Sequence, residues 1–152
     1  MFLQKFMKAI AFSWMLVAAT APTYAKSTRS SSVTIANNSG GTIAAFAMDA
    51  ADYRISGTLV KFKGRCDSAC TLFLSLPSRQ TCVSSGASFR FHAPYGVSAR
   101  AQRSARAYLM SKYPGWVRAW IGRNNGLTRN LITMDYSYAS KFMRNCDVVA
   151  SR

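Results

Sequence analysis

The stretch Gly64-Arg65-Cys66-Asp67-Ser68-Ala69-Cys70-Thr71 constrains this chain more than any other. A strand-like run, Thr58 to Lys63, leads into it, and an apolar helical run, Leu72 to Leu76, leaves it. Two cysteines four residues apart therefore bracket a serine at a strand-to-helix corner. A hydroxyl at such a corner is held at the mouth of a sheet, beside unpaired backbone N–H groups and the positive end of a helix dipole. That geometry suits a nucleophile. It equally suits an N-cap serine, whose oxygen accepts a bond from a first-turn N–H.

The compartment follows from the first 25 residues. Lys5 and Lys8 make a basic start, Ala9–Ala21 is an apolar run of secretory length, and Thr23-Tyr24-Ala25 offers small residues for cleavage. This pattern predicts a signal peptide, residues 1–25, and an exported chain. The apolar run is shorter than the ~20 residues that span a bilayer, and no later segment of the mature chain is long and apolar enough to do so. Residues 26–32 are polar and serine-rich, and residues 33–152 are expected to form one domain.

All four cysteines, Cys66, Cys70, Cys82 and Cys146, follow the cleavage site. An even count in an exported chain predicts two disulfides, with three pairings open. Their spacings match no zinc module, and the sequence predicts neither a metal nor a cofactor. A redox role for Cys66 and Cys70 is disfavoured, because redox pairs usually have two residues between them.

Val33–Ala36 reads as a short strand ended by the turn cluster Asn37-Asn38-Ser39-Gly40-Gly41. Thr42 to Tyr53 has helical periodicity, with Ile43, Phe46, Ala47, Ala50 and Ala51 on one face. Thr58–Phe62 is the next strand, Gln80–Val83 a short one, and Ala87–His92 alternates strictly. Strands separated by helices in this order predict an α/β fold with a small, mainly parallel sheet flanked by helices. After Gly96 the chain reads as helical over Ala99–Tyr113, Trp116–Arg123, Leu127–Met134 and Ser137–Arg144, with a last strand at Asp147–Ala150.

Four features of this order bear on chemistry: Gly40-Gly41 after the first strand, Ser68 after the second, His92 ending the alternating strand, and Asp135 in the helical C-terminal part. Serine needs a neighbouring base to become nucleophilic, and a neutral imidazole supplies one. A carboxylate can fix that imidazole's tautomer, and backbone N–H groups can hold an oxyanion. Taken singly, each feature also has a plain structural reading as a turn, a strand-end histidine or a solvated aspartate. Ser68 is not in the Gly-x-Ser-x-Gly elbow, which argues against an α/β-hydrolase.

In combination, Asn38-Ser39-Gly40-Gly41, Gly64-Arg65-Cys66-Asp67-Ser68-Ala69, Phe91-His92-Ala93-Pro94 and Asp135-Tyr136-Ser137-Tyr138-Ala139-Ser140 resemble the Clp protease proteolytic subunit, of the Clp/crotonase superfamily. The likeness runs from about Val33 to Val149 and is closest to small exported bacterial members with a Cys-x-Ser-Ala-Cys segment. It implies a Clp/crotonase-like domain in a periplasmic or secreted serine hydrolase, a peptidase acting on peptides or proteins. Ser68 would be its nucleophile, His92 its base, Asp135 its carboxylate, and Gly41 and Ala69 its oxyanion-hole donors. It also implies that Cys66 pairs with Cys70, leaving Cys82 for Cys146. The family forms ring chambers, so a homo-oligomer is implied as well. The chain departs from the family in lacking the β-α unit before the first glycine turn and in a shorter segment between His92 and Asp135.

The charge balance gives a second expectation. The chain carries 20 Lys and Arg against 5 acidic residues, all aspartate, and cleavage after Ala25 leaves a net charge of about +13. Arg100, Arg103 and Arg106 recur every three residues and share a helix face, while Trp116 and Trp120 lie one turn apart. Such a face is either a solvated surface or a binding surface for an anionic polymer or membrane. The latter makes a non-catalytic binding module the alternative function. Export disfavours nucleic acid as the partner, and disfavours the acyl-CoA chemistry of crotonases.

Overall fold

The computed structural model describes residues 31–149; the expected signal peptide and most of the polar N-terminal segment lie outside them. The fold is mixed α/β, and it is organised around the strand β2 (Leu59–Asp67). On one edge β2 pairs in parallel with β1 (Ser32–Asn38), from Ser32 opposite Leu59 to Asn38 opposite Cys66. Its other edge is divided. The first half pairs in parallel with β3 (Thr81–Val83), and the second half in parallel with β4 (Ser88–Phe91).

The division coincides with a bulge. Ile35 faces Phe62 and Asn37 faces Arg65, so Lys63 and Gly64 together oppose Ala36. A bulge of this kind bends a strand and increases its twist. Gly64 permits it, because a Cβ there would sit 1.5 Å from the Ala36 carbonyl oxygen. The second half of β2 is thus turned toward β4, carrying Cys66 and Asp67 to the corner.

The sequence predicts a helix over Leu127–Met134, but that region contains the strand β5 (Ile132–Asp135), antiparallel to β4. The sheet is therefore mixed rather than a parallel crossover series. Ile132 and Thr133 are β-branched, which favours extended backbone, and Met134 points inward and is fully buried. The C-terminus differs as well: α4 is only Tyr136–Ala139, Arg144–Asn145 forms β6 beside β3, and Cys146–Val149 is a helical turn, α5, rather than a strand.

The helices follow their sequence signals more closely. α1 (Ile43–Ser56) starts at Thr42, whose hydroxyl accepts from Ala45 N–H, and stops at Gly57. Its inner face carries Ile43, Phe46, Ala47, Ala50 and Tyr53; Ala51, expected there, is exposed. Phe46 and Tyr53 both meet Phe73, at ring separations of 5.4 and 5.3 Å. Phe73 lies in the 3₁₀ segment Ser68–Ser75, which replaces the expected α-turn. α2 (Ala99–Lys112), capped by Ser98, and α3 (Gly115–Arg123) deliver Leu109, Val117 and Ile121 to a core centred on Phe62, Phe89 and Phe91.

Both disulfides have the expected pairing: Cys66 with Cys70, and Cys82 with Cys146. Their roles differ in magnitude. Closing a loop over 64 residues removes enough unfolded-chain entropy for about 4 kcal/mol, whereas a separation of 4 residues gives roughly half that. The long bridge secures the C-terminal turn to β3; the short one is a local clamp around Ser68. Among the described residues no helix is long and apolar enough to cross a membrane.

Gly64→Ala is expected to lower unfolding stability by about 3 kcal/mol or more, since the clash is with the Ala36 backbone of the paired strand β1. Gly122→Ala, where a Cβ meets nothing within 4 Å, is the control and should be neutral or stabilising. Denaturant midpoints of the two variants measure the contrast.

Candidate active site

Ser68 does not cap the segment it begins. It is the first residue of the 3₁₀ turn, and its φ is 53°, in the left-handed region that costs a non-glycine residue about 1–2 kcal/mol. Asp67 holds the cap position without making a cap bond, because its carboxylate is engaged elsewhere. Arg90 Nε donates to Asp67 Oδ1 at 2.7 Å, Arg90 Nη2 donates to Oδ2, and Arg65 Nε lies 3.0 Å from Oδ2. Asp67 is 5% exposed, so these charge-assisted bonds compensate a carboxylate largely removed from water.

The strained residue is held from several sides. The Cys66–Cys70 bridge closes over it, with both cysteines buried. Thr71 Oγ1 donates to the Ser68 carbonyl at 2.6 Å. That uses the only hydroxyl proton of Thr71, so Tyr113 O–H is the donor in the 2.7 Å bond to Thr71 Oγ1. Burial pushes the Tyr113 phenol up to about 12, against the smaller opposite pull of its bond with Thr71. The donor is thus retained at any physiological pH. On the outer side stands Gly40, with φ 83°, where a Cβ would fall 2.6 Å from the Asp67 carbonyl oxygen and 2.8 Å from Ser68 Cβ.

The glycine turn also offers backbone donors. Gly40 N–H is taken by Asn38 Oδ1 at 2.8 Å, whereas Gly41 N–H makes no hydrogen bond among the described residues. Ala69 N–H lies in the first turn, where backbone donors lack intrahelical partners. Ala69 itself is buried, and its nitrogen is 3.2 Å from where a Gly40 Cβ would be. The missing side chain at Gly40 therefore leaves room in front of that nitrogen.

His92 follows β4 directly and is half-buried. Its Nδ1 is 2.8 Å from the Ala93 carbonyl oxygen, which can only accept. The proton of the neutral ring is therefore on Nδ1, and Nε2 presents its lone pair. The Tyr95 ring lies tilted beside the imidazole, with ring centres 5.3 Å apart. Ser68, His92, Gly40 and Gly41 share one cavity of about 540 Å³, with Ile43, Pro94, Tyr95 and Val97 as its apolar walls. Neither Ser68 Oγ nor His92 Nε2 is hydrogen-bonded to another described residue.

Asp135 does not join them. The antiparallel register sets Asp135 opposite Ser88, at the far end of β4 from His92, roughly 13 Å away along the strand. It caps α4 instead, accepting from Ser137 Oγ at 2.8 Å and Tyr138 N–H at 3.0 Å, and these bonds hold its carboxyl below the usual range. The Ala93 carbonyl has the orienting position expected of that carboxylate. The Asp67–Arg90 pair and the Thr71–Tyr113 relay are absent from the sequence reading. The first had one signal, an aspartate between two cysteines and an arginine on the polar face of the alternating strand.

Arg100, Arg103 and Arg106 are exposed on α2, as their spacing predicts. Arg103 and Arg106 line a second cavity of about 220 Å³, which shares Pro94 with the first. Arg100 lines neither. Searches for similar proteins leave this geometry to speak for itself: no protein-family model matches the chain, and no curated protein matches it.

Asp135→Ala should cost about 0.5–1 kcal/mol of stability through the lost cap, without affecting reactivity at Ser68. Because the folded carboxyl titrates below its unfolded value, this stabilisation is complete above about pH 4 and disappears as pH falls through the folded value. Parallel denaturant titrations of both proteins from pH 7 to pH 2 should therefore converge at the acid end.

Proposed function

We propose that the chain is an exported serine hydrolase, a peptidase of Clp/crotonase-like type, with Ser68 as nucleophile and His92 as general base. The observation that carries this reading is a serine in left-handed backbone opening into the same cavity as an imidazole with a free Nε2. Residues in sparsely populated backbone regions persist only when their surroundings over-determine them, and they cluster at functional sites. Here a buried disulfide, a paired carboxylate, a hydroxyl relay and a bare glycine all act on one residue.

In this reading Ser68 Oγ attacks a substrate carbonyl carbon while His92 Nε2 takes its proton. Negative charge develops on the carbonyl oxygen, which the Gly41 and Ala69 N–H groups receive. Collapse expels the amine, which leaves with the proton from His92, and an acyl group remains on Ser68. Water then attacks this ester with His92 again as base, releasing the acid and restoring the serine. Asp135 has no part in the cycle; Ala93 orients the ring through its carbonyl. The order of Gly-Gly turn, serine corner and histidine strand-end supports the family resemblance. The two disulfides and the lack of a membrane-spanning helix among the described residues are compatible with export.

A fluorophosphonate probe is expected to label the wild-type protein on Ser68 and leave Ser68→Ala unlabelled. His92→Gln should slow labelling by at least about 100-fold. The folded wild-type protein failing to react would remove the hydrolase reading. Strain kept for chemistry gives an independent outcome: Ser68→Gly should equal or exceed the wild type in thermal stability while losing all labelling.

A further inference from the structure

We propose that the substrate of the Ser68 site carries a carboxylate, and that Arg103 and Arg106 receive it. This rests on the hydrolase reading and names the substrate class for it. The two arginines are three residues apart on α2, so their side chains leave the same helix face as neighbours. They line the 220 Å³ cavity, with Ala93, Pro94, Ala99 and Gln102 completing it. Pro94 is also a wall of the cavity holding Ser68 and His92, and Ala105, from the same helix, lines that cavity too.

Among the described residues the two guanidiniums have no hydrogen-bond or ion-pair partner. The ion pairs among the described residues all end on Asp67, which is shared by Arg65 and Arg90. Arg54, Arg118, Arg123 and Arg144 each donate to an oxygen of the protein. Arg103 and Arg106 have neither kind of contact. Arg106 is nonetheless placed: its Nη2 is 3.2 Å from where a Cβ on Gly126 would stand, so that bare backbone seats the guanidinium. Two adjacent like charges in a concave site favour an oxyanion between them, and a planar guanidinium fork matches a carboxylate in two-point geometry.

A space of about 220 Å³ accepts a carboxylate on a short stem. With one shared wall between the cavities, the carboxylate belongs one or two residues from the bond that is cut, at about 3.5 Å per extended residue. Two sources have that chemistry, an aspartate or glutamate side chain near the scissile bond and a free C-terminal carboxylate close behind it. Arg100, which lines neither cavity, is not needed.

Binding to the Ser68→Ala protein tests this without turnover. Three short peptides are titrated by calorimetry: one with an aspartate and an amidated end, one with alanine and a free carboxylate, and a neutral one with asparagine and an amidated end. At least one anionic peptide should bind about fivefold or more tightly than the neutral one, and which does so identifies the source. The advantage should disappear when Arg103→Gln and Arg106→Gln are combined. It should survive in part with lysine at both positions, and in full with the charge-matched control Arg129→Gln plus Lys141→Gln. Equal binding of all three peptides, or an advantage unchanged by the paired glutamines, would overturn the proposal. Fluorophosphonate labelling of wild type separates the two ideas: carboxylate preference without labelling removes the hydrolase alone, and labelling without preference removes the subsite alone.

Discussion

The bidentate contact between Asp67 and Arg90 joins β2 to β4 at the last residue before Ser68, and the site depends on it. It does three things at once. It ties the bent half of β2 to the strand that leads into His92, so serine and histidine are set relative to one another by a single strand pairing. It occupies the carboxylate that would otherwise cap the 3₁₀ turn, leaving first-turn N–H groups free. It also places an anion between two guanidiniums, Arg65 and Arg90, in a chain otherwise rich in cations. The bulge at Gly64 falls where the pairing of β2 passes from β3 to β4.

Stability and reactivity are divided between different parts of the fold. The Phe62, Phe89 and Phe91 core and the Cys82–Cys146 bridge supply general stability. The corner spends some of it, holding Ser68 in an unfavourable backbone region by local contacts. In the proposed hydrolase, fixing the serine in advance would leave less reorganisation for the arrival of a carbonyl, which is where positioned groups have their largest effect. Ring orientation at His92 likewise needs only the neighbouring carbonyl, because a backbone oxygen fixes a tautomer as a carboxylate would.

Much of this was legible in the sequence where local chemistry decides structure. Thr42 and Gly57 bound α1, the alternation of Ser88 to Phe91 gives β4, and the even cysteine count gives two bridges. Ser68, His92 and the Gly40-Gly41 turn reach one cavity because each sits at the end of a parallel strand. What was illegible depends on long-range pairing. Leu127 to Met134 has mixed periodicity, and only the edge of β4 makes part of it a strand; that antiparallel register then carries Asp135 away from His92. Asp67 and Arg90 are 23 residues apart, and the Thr71–Tyr113 relay spans 42, so no local pattern announces them.

The central claim is geometric and covalent, and a crystal structure of the protein after reaction with a fluorophosphonate tests it most directly. The account expects phosphorus bonded to Ser68 Oγ, with a phosphoryl oxygen about 3 Å from the Gly41 and Ala69 nitrogens and His92 Nε2 turned toward the adduct. An adduct on another residue, or a Ser68 adduct whose oxygen points to solvent away from both nitrogens, would contradict it.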